Sequence, residues 1–197
     1  MNDNIVTDIC GKIRLFNGDC MEWMKSVPDN YYELAIVDPP YRDMKDNQPT
    51  KDMRNNGRID KFGNKPDKTY FNELFRISRN QIIWGANNFD LPTYMGFVVW
   101  KKKTISENFT MSMAEIAYLS KGLSTISKIV EYPPQREMDN KFHPTAKPTK
   151  LYEWLLTNYA KQGDKIFDSH FGSLSFGIAC HNLGFQLDAC ELDKEYY

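Results

Sequence analysis

Short runs of apolar residues separated by longer polar stretches are the main pattern of this chain. Such runs are typical of buried strands, and six of them lie at residues 34–37, 82–84, 97–100, 116–119, 165–167 and 186–190. Apolar positions with helical spacing predict helices at residues 70–79, 150–161 and 175–183. Because the strands alternate with helices and are largely apolar, the pattern predicts an α/β fold. Its sheet should be open, mostly parallel and covered on both faces.

Two long stretches lack this pattern. Residues 42–68 are polar and carry eight Lys or Arg against five Asp. A loop of this length is usually functional or disordered, so we predict a mobile loop there. Residues 120–148 are irregular and contain several prolines. The last residues, 195–197, are typical of a first helical turn, as if the domain were truncated there.

The composition narrows the class of protein. The 197 residues, of which 41% are hydrophobic, suffice for one globular domain over residues 1–197. The formal net charge is -1, so contacts with nucleic acid must come from local patches. No apolar run spans a bilayer and no signal peptide is evident, so we expect a cytoplasmic protein without a membrane partner. The four cysteines and three histidines match no zinc spacing; we predict free thiols and no metal.

The first candidate site is the sequence Asp38-Pro39-Pro40-Tyr41, directly after the predicted strand at 34–37. Proline fixes its own φ and restricts its predecessor, so two in a row hold the Asp38 carboxylate and the Pro39 carbonyl nearly fixed. They form two aligned acceptors with a flat ring beside them. An exocyclic amine on a planar base has two N–H donors and a face to stack, and it fits this arrangement. The alternative is an ordinary turn at the end of a strand.

The second candidate site lies in residues 165–191, which we interpret as one βαβ unit. Its strands end at Asp168 and Glu191, and Gly172 lies in the turn after the first strand. Nucleoside ligands bind at the carboxyl ends of such strands, where a carboxylate can accept hydrogen bonds from ribose hydroxyls. An ordinary connection with one glycine is the alternative. No phosphate-loop lysine follows, so a nucleoside without phosphates, commonly S-adenosylmethionine, fits better than ATP.

Several motifs together resemble the amino-methylating DNA methyltransferases, which act on adenine N6 or cytosine N4. Asp38-Pro39-Pro40-Tyr41 resembles their catalytic motif, and residues 142–148 resemble their H-P-T-x-K-P segment. Residues 167–175 look like a variant of their D-P-F-x-G-S-G-T cofactor loop. Residues 17–20 and 83–89 are also similar to family segments. The catalytic motif precedes the cofactor loop, which is the circularly permuted order of the family's beta class.

The resemblance implies a Rossmann-like methyltransferase fold with a mostly parallel, seven-stranded sheet and S-adenosylmethionine as cofactor. The catalytic residues that it implies are Asp38, Pro39, Pro40 and Tyr41. The cofactor contacts that it implies are Asp38, Asp168, Gly172, Ser173 and Glu191, with Asp19 and Cys20 near the adenine and Thr145 and Lys147 near the methionine end.

The chain departs from the family pattern within the cofactor loop. Ser169 and His170 stand where the family often has Pro-Phe, and Leu174 replaces a second glycine. We expect the Cβ of Leu174 to strain the turn or crowd the cofactor. We interpret His170, and likewise His143, as structural residues.

The implied reaction is methyl transfer from S-adenosylmethionine to the N6 amine of an adenine flipped out of double-stranded DNA. In this family Asp at position 38 is usual for adenine and Ser for cytosine, which favours adenine. One alternative is an N4-cytosine methyltransferase. Others are an amine methyltransferase acting on RNA and a non-catalytic DNA-binding protein on the same fold.

Local positive charge predicts the DNA contacts. The candidates are Arg42, after the catalytic motif, and Lys101, Lys102 and Lys103, at the end of a predicted strand. A solvated run of charge is the alternative for the three lysines. Residues 101–142 leave room for only a small target-recognition region, so recognition should be short or need a second subunit, as in a homodimer. The small size favours a phage or mobile element over a restriction system.

Overall fold

The structure, a computed structural model, describes residues 5–9, 11–41, 64–134, 147–172 and 174–193, and for residues 5–9 the backbone alone. The strands are β1 (Ile5–Ile9), β2 (Ile13–Asn17), β3 (Tyr32–Val37), β4 (Ser78–Trp84), β5 (Phe97–Lys102), β6 (Ala114–Leu119), β7 (Lys128–Tyr132), β8 (Lys165–Asp168) and β9 (Gln186–Glu191). The α-helices are α1 (Cys20–Ser26), α2 (Lys68–Ile77), α3 (Thr149–Tyr159) and α4 (Ser175–Leu183). None of these helices is long and apolar enough to cross a membrane.

One sheet contains all nine described strands, in the order β1-β2-β9-β8-β3-β4-β6-β5-β7. The strands β2, β9, β8, β3 and β4 are parallel to one another. Strand β6 is antiparallel to both β4 and β5, and β1 is antiparallel to β2. Because parallel strands share their direction, the carboxyl ends of β3, β8 and β9 meet at one edge of the sheet, where ligands bind in such folds.

The helices cover both faces of the sheet, so the apolar side chains on both faces of the central strand β3 are buried. Successive side chains of a strand point to opposite faces. In β3, Leu34 and Ile36 belong to the core on the side of α3 and α4, whereas Ala35 and Val37 belong to the core on the side of α1 and α2. All four side chains are buried. The burial of both faces confirms the predicted α/β architecture with a mostly parallel sheet.

Capping groups set the ends of the helices. The Asp67 carboxylate accepts hydrogen bonds from the backbone N–H groups of Thr69 and Tyr70 at the start of α2. Helix α4 ends at Gly184, whose φ of 76° is the left-handed conformation that glycine adopts readily. This helix covers residues 175–183 as predicted, while α2 ends at Ile77, two residues before the predicted end, because Ser78 already begins β4.

The expectation of seven strands is wrong, because the described residues alone form nine strands of the sheet. The apolar pattern did not indicate β1, β2 or β7. Strand β2 carries the exposed Arg14 at its second position, and the edge strand β7 carries Lys128 and Glu131 with Ile129 facing solvent. Strands at or near an edge are covered on fewer sides, so they lack a continuous apolar run. Strand β7 also lies within residues 120–148, which were expected to be irregular.

Some predictions fall on other parts of the chain. The predicted loop at 42–68 lies outside the described residues up to residue 63, and its last residue, Lys68, begins α2. The predicted helical turn at 195–197 also lies outside them. The circular permutation and the division of residues 1–197 into one domain stay predictions.

Candidate active site

Asp38 follows β3 directly, and both oxygens of its carboxylate have partners. The Tyr41 hydroxyl donates a hydrogen bond of 2.6 Å to Oδ1. The Lys147 ammonium donates to Oδ2. The side chain is 24% exposed, so it stays accessible from the sheet edge while these two contacts fix its orientation.

Tyr41 lies against the backbone of Gly85, the residue after β4. A Cβ built on Gly85 would be 2.2 Å from Cε1 of Tyr41, and the φ of Gly85 is +70°. The ring also packs edge-on against Phe89, with centroids 6.2 Å apart. Burial raises the pKa of Tyr41 far above its usual range, so the hydroxyl stays protonated and can donate to Asp38. Glycine at position 85 therefore permits the observed place of the tyrosine ring.

Lys147 is a buried cation shared by two carboxylates. Its side chain is 4% exposed, and its Nζ contacts Asp38 and lies 3.1 Å from Oε2 of Glu115. Burial alone lowers the pKa of Lys147, but the two carboxylates raise it more, so the net shift is upward. The amine is therefore a permanent ammonium ion, and the ring of Trp84 lies 5.3 Å from it.

Glu115, in β6, links this group to a second lysine. Its Oε1 is 2.6 Å from Nζ of Lys102, and its Oε2 is 3.3 Å from the Tyr41 hydroxyl. Burial raises the pKa of Glu115, but Lys147 and Lys102 lower it more, so it is an ionised carboxylate. The sequence did not mark Glu115 as a site residue, because only the pairing of β6 with β4 and β5 brings it to Lys147 and Tyr41.

The three predicted DNA-contacting lysines lie in different environments. Lys102 is 8% exposed and its ammonium pairs with Glu115. This buried position does not leave Lys102 available for the predicted contact with a DNA phosphate. Lys101 is exposed and pairs with Glu131 at 3.0 Å, and Lys103 is exposed. The fourth candidate, Arg42, lies outside the described residues.

Asp168 ends β8, the strand next to β3, and is the most deeply buried carboxylate of the candidate cofactor site. It is 3% exposed, and its side chain accepts a hydrogen bond of 3.0 Å from the backbone N–H of His170. Burial raises the pKa of Asp168 to about 8. No salt bridge to Asp168 is found within the described residues, so the buried acid keeps its proton near neutral pH.

Glu191 ends β9 and holds the turn after β8. Its Oε2 accepts a 2.7 Å hydrogen bond from the N–H of Gly172, and its Oε1 accepts one of 2.8 Å from the N–H of Asp193. Gly172 has a φ of +56°, a conformation that suits glycine. The N–H of Gly18 donates to the backbone carbonyl of Glu191 at 2.9 Å. These bonds bring the candidate cofactor residues of three segments to one place.

Asp19 and Cys20 begin α1 beside this edge. The Asp19 carboxylate caps the helix by accepting from the N–H of Met21 at 2.9 Å. Burial raises the pKa of the Cys20 thiol to about 12, so it is protonated and not a nucleophile. Both residues therefore have local structural roles that are compatible with lining a ligand.

His170 and Ser169 form a small network with α2. The Ser169 hydroxyl lies 2.6 Å from the Tyr70 hydroxyl and 2.8 Å from Nδ1 of His170. Burial lowers the pKa of His170 to about 4, so the ring is neutral at physiological pH. A neutral, hydrogen-bonded ring agrees with a structural role for His170.

Leu174 adopts the left-handed backbone conformation that the sequence comparison suggested for a glycine. Its φ is +64°, and it immediately precedes α4. This conformation is costly for a side chain with a Cβ. Ser173 and Thr145, two further predicted cofactor contacts, lie outside the described residues. The residues that the structure describes contain no cluster of His, Cys, Asp and Glu able to hold a metal ion.

Comparisons with known proteins agree with this geometry. A family model for N6/N4 DNA methylases matches residues 25–197. Over 225 residues the chain is 22% identical to the type II methyltransferase M.HpaI of Haemophilus parainfluenzae, covering 93% of this chain and 71% of that protein. It is 24% identical over 205 residues to the putative methylase YubD of Escherichia coli (strain K12), covering 93% and 86%.

Solved structures share the fold. The complex of M1.HpyAVI with SAM (S-adenosylmethionine) superposes with a TM-score of 0.59 at 17% identity, covering 93% of this chain and 96% of that one. The cytosine-N4-specific PvuII DNA methyltransferase superposes with a TM-score of 0.63 at 13% identity, covering 94% and 83%.

Proposed function

The chain belongs to the family of N6- and N4-specific DNA methylases, and from this premise we propose that it methylates the N6 amine of adenine in double-stranded DNA, with S-adenosylmethionine as methyl donor. The observation that carries the proposal is the pairing of two sites on neighbouring strands. The oriented Asp38 carboxylate directly follows β3, and the buried acid of Asp168, which has no salt bridge within the described residues, ends β8. Asp38 suits an amine that is to be methylated, and Asp168 suits a cationic ligand beside that amine.

The residues at the ends of β8 and β9 fit S-adenosylmethionine. When bound, this cofactor supplies an electrophilic methyl group on a positively charged sulfur. Glu191, held by Gly172 and Asp193, has acceptor capacity left for ribose hydroxyls. Beside a cationic ligand the buried acid of Asp168 would release its proton, and the resulting carboxylate would pair strongly with that cation in the buried setting. Asp19 and Cys20 would line the adenine end, and Thr145 and Ser173 stay predicted contacts.

Asp38 and Pro39 would act on the amine that receives the methyl group. Their oxygens would accept the two N–H bonds, which withdraws the nitrogen lone pair from conjugation with the ring. Asp38 also opposes the positive charge that grows on nitrogen during transfer, and it is the nearest carboxylate to take up the proton that the methylated nitrogen releases. Tyr41 would stack on the base, a contact worth roughly 1–3 kcal/mol. Alignment should supply much of the rate.

The choice of adenine rests on Asp38. A carboxylate offers two acceptor oxygens and a full negative charge, whereas the serine usual at this position in cytosine N4 enzymes offers one hydroxyl. Methylation of cytosine N4 is the second candidate, and the PvuII enzyme, whose fold this chain shares, is cytosine-N4-specific.

The DNA would approach the edge formed by the ends of β3 and β5. We propose that Lys101, Lys103 and Arg42 contact phosphates, because the first two are exposed there. Residues 103–113 connect β5 to β6 and form the first part of the proposed target-recognition region. They carry Phe109 and Met111, with about half of each side chain exposed (53% and 54%). A second subunit would add recognition surface, and a homodimer stays a proposal.

Transfer of labelled methyl from S-adenosylmethionine to mixed-sequence DNA, followed by digestion to nucleosides, tests the proposal. Labelled N6-methyladenine is the expected product. Labelled N4-methylcytosine would correct the base and keep the reaction. Absence of both label and saturable cofactor binding would overturn the proposal in favour of a non-catalytic DNA-binding protein.

A further inference from the structure

Four charged side chains near Tyr41 form a linear network of ion pairs in which positive and negative charges alternate. Lys102 contacts Glu115, Glu115 contacts Lys147, and Lys147 contacts Asp38. Two cations therefore balance two carboxylates in a partly enclosed space, where the four side chains are between 4% and 24% exposed. This network of charges runs from Lys102 in β5 to Asp38, the proposed catalytic carboxylate.

We propose that Glu115 is a positioning residue for methyl transfer and that Lys102 is its counter-ion. This rests on the proposed function and extends it to residues that do not touch the substrate amine. Oε2 of Glu115 lies 3.1 Å from the Lys147 ammonium and 3.3 Å from the Tyr41 hydroxyl. It thus reaches both groups that orient the Asp38 carboxylate.

The geometry explains why one carboxylate is needed here. An ammonium has three donors, and those of Lys147 serve Asp38, Glu115 and, at 3.4 Å, the Tyr41 hydroxyl. Without Glu115 the Lys147 ammonium has Asp38 as its single carboxylate partner and is free to move toward Asp38. The Tyr41 hydroxyl also loses the second of its two carboxylate neighbours. A displacement of about 1 Å at a reacting group can cost roughly 100-fold in rate.

The balance of charge explains Lys102. If Glu115 alone is neutralised, two enclosed ammonium ions are left with the single carboxylate of Asp38, and Lys102 then competes with Lys147. If Glu115 and Lys102 are neutralised together, the Lys147–Asp38 pair remains balanced. Removing one partner of a buried pair is far more disruptive than replacing both. The double substitution should therefore be milder than its parts predict.

The test measures single-turnover methyl transfer to DNA and calorimetric binding of S-adenosylmethionine for four variants. These are Glu115→Gln, Lys102→Met, the double variant, and Glu73→Gln as the matched control. Glu73 pairs with Arg76 in α2, and its side chain is 22% exposed against 19% for Glu115, so the control removes a similar carboxylate from a different place.

We expect Glu115→Gln to slow transfer by about 100-fold with cofactor affinity changed less than about threefold, because Glu115 lies away from the cofactor edge. Lys102→Met should also slow transfer, and the double variant should recover much of the loss. Glu73→Gln should transfer at the wild-type rate.

Two results would overturn the inference. Unchanged transfer in Glu115→Gln removes the positioning role, and a double variant as slow as the product of its two single effects removes the counter-ion role. If the wild-type protein itself transfers no methyl group, the proposed function fails and the positioning role with it. Urea unfolding of the same variants then tests the pairing of Lys102 with Glu115. The pairing requires the double variant to lose less unfolding free energy than the sum of the two single losses.

Discussion

The carboxylates at the ends of β3 and β8 are neighbours in the sheet, yet they are balanced in different ways. Asp38, after β3, has Lys147 and the Tyr41 hydroxyl as partners, and Glu115 and Lys102 complete a neutral group behind it. Asp168, at the end of β8, has a backbone N–H as its hydrogen-bond donor, and burial raises its pKa to about 8. The first carboxylate is paired with a lysine, whereas the second has no cationic partner in the part of the chain that the structure describes.

This difference separates two kinds of preparation for chemistry. A carboxylate that must hold an amine in one orientation gains from partners that fix it before the substrate arrives. A carboxylate that must attract a cation gains from having no cation of its own, since the ligand then provides the missing charge. The second arrangement has a cost in the ligand-free protein, because a buried acid then remains without the ligand's cation beside it.

The largest effect should come from Asp38→Ala. We expect transfer to fall by about 1,000-fold or more, because the alanine removes both the acceptor for the amine and the charge that opposes the developing cation. Cofactor affinity should stay within a few-fold of wild type. Asp29→Ala is the control, since Asp29 is 71% exposed and pairs with Arg76 away from the site. Substantial transfer by Asp38→Ala would refute the proposed role of the lysine-paired carboxylate.

The next largest effect should be on stability, from Lys147→Met. This change leaves Asp38 and Glu115 without their shared cation, and breaking a buried ion pair from one side costs about 3–5 kcal/mol of unfolding free energy. Lys150→Met, whose side chain is 73% exposed and pairs with Glu153, should change the urea unfolding midpoint little. Equal effects of the two substitutions would show that the cluster around Lys147 contributes no more than a surface pair.

The acid at Asp168 makes the stability of the ligand-free protein depend on pH. Its folded pKa of about 8 lies above the unfolded value of about 3.9. Between these two values the native state binds a proton that the unfolded chain does not, so the free energy of unfolding falls as the pH rises toward 8. Burial lowers the pKa of His170 to about 4, from about 6.5 unfolded, so this residue reduces stability only below about pH 6.5. The window from about pH 6.5 to 8 therefore excludes His170 and contains the titration of Asp168.

Urea unfolding across that window should show a loss of about 1–2 kcal/mol in the wild-type protein. Asp168→Asn has no proton to lose at this position and should vary less with pH. In the same window the affinity for S-adenosylmethionine should rise with pH, because the ionised carboxylate pairs with a cation, and it should rise less for S-adenosylhomocysteine, which lacks the sulfonium charge. A wild-type curve parallel to that of Asp168→Asn would contradict the pKa shift.

The carboxylates around Lys147 and at the ends of β8 and β9 also differ in how far the sequence reveals them. Asp38, Asp168 and Glu191 each end a strand, and the short apolar runs before them made them visible as candidates. Glu115 was not visible, because it touches Lys147 and Tyr41 only after β6 inserts between β4 and β5. A pattern of local apolar runs contains no information about which distant strands become neighbours.

The same reason explains the other omissions. Gly85 supports Tyr41 across a gap of 44 positions in the chain, the difference of the two residue numbers. Lys102 looks like part of a surface run of lysines, yet alternation along β5 turns it inward while Lys101 stays exposed. Fold class and the ends of central strands follow from sequence, whereas pairing across the sheet follows from topology.

The smallest effect should come from Leu174→Gly, which tests the backbone of the turn after β8. With φ at +64° and the side chain 41% exposed, Leu174 bears a left-handed conformation that costs a residue with a Cβ about 1–2 kcal/mol. Glycine relieves this cost but gives the unfolded chain more freedom, so the net gain in unfolding free energy should be about 0.5–1 kcal/mol.

Gly184→Ala is the matched opposite change, because Gly184 has a φ of +76° at the other end of α4 and its added Cβ would meet only Lys12 Nζ at 3.6 Å. It should destabilise by about 1 kcal/mol through backbone strain alone. If Leu174→Gly also tightens S-adenosylmethionine binding, the leucine side chain crowds the cofactor as well as straining the turn. A gain in stability with unchanged affinity assigns the whole effect to the backbone, and no gain at all would show that the turn bears no strain.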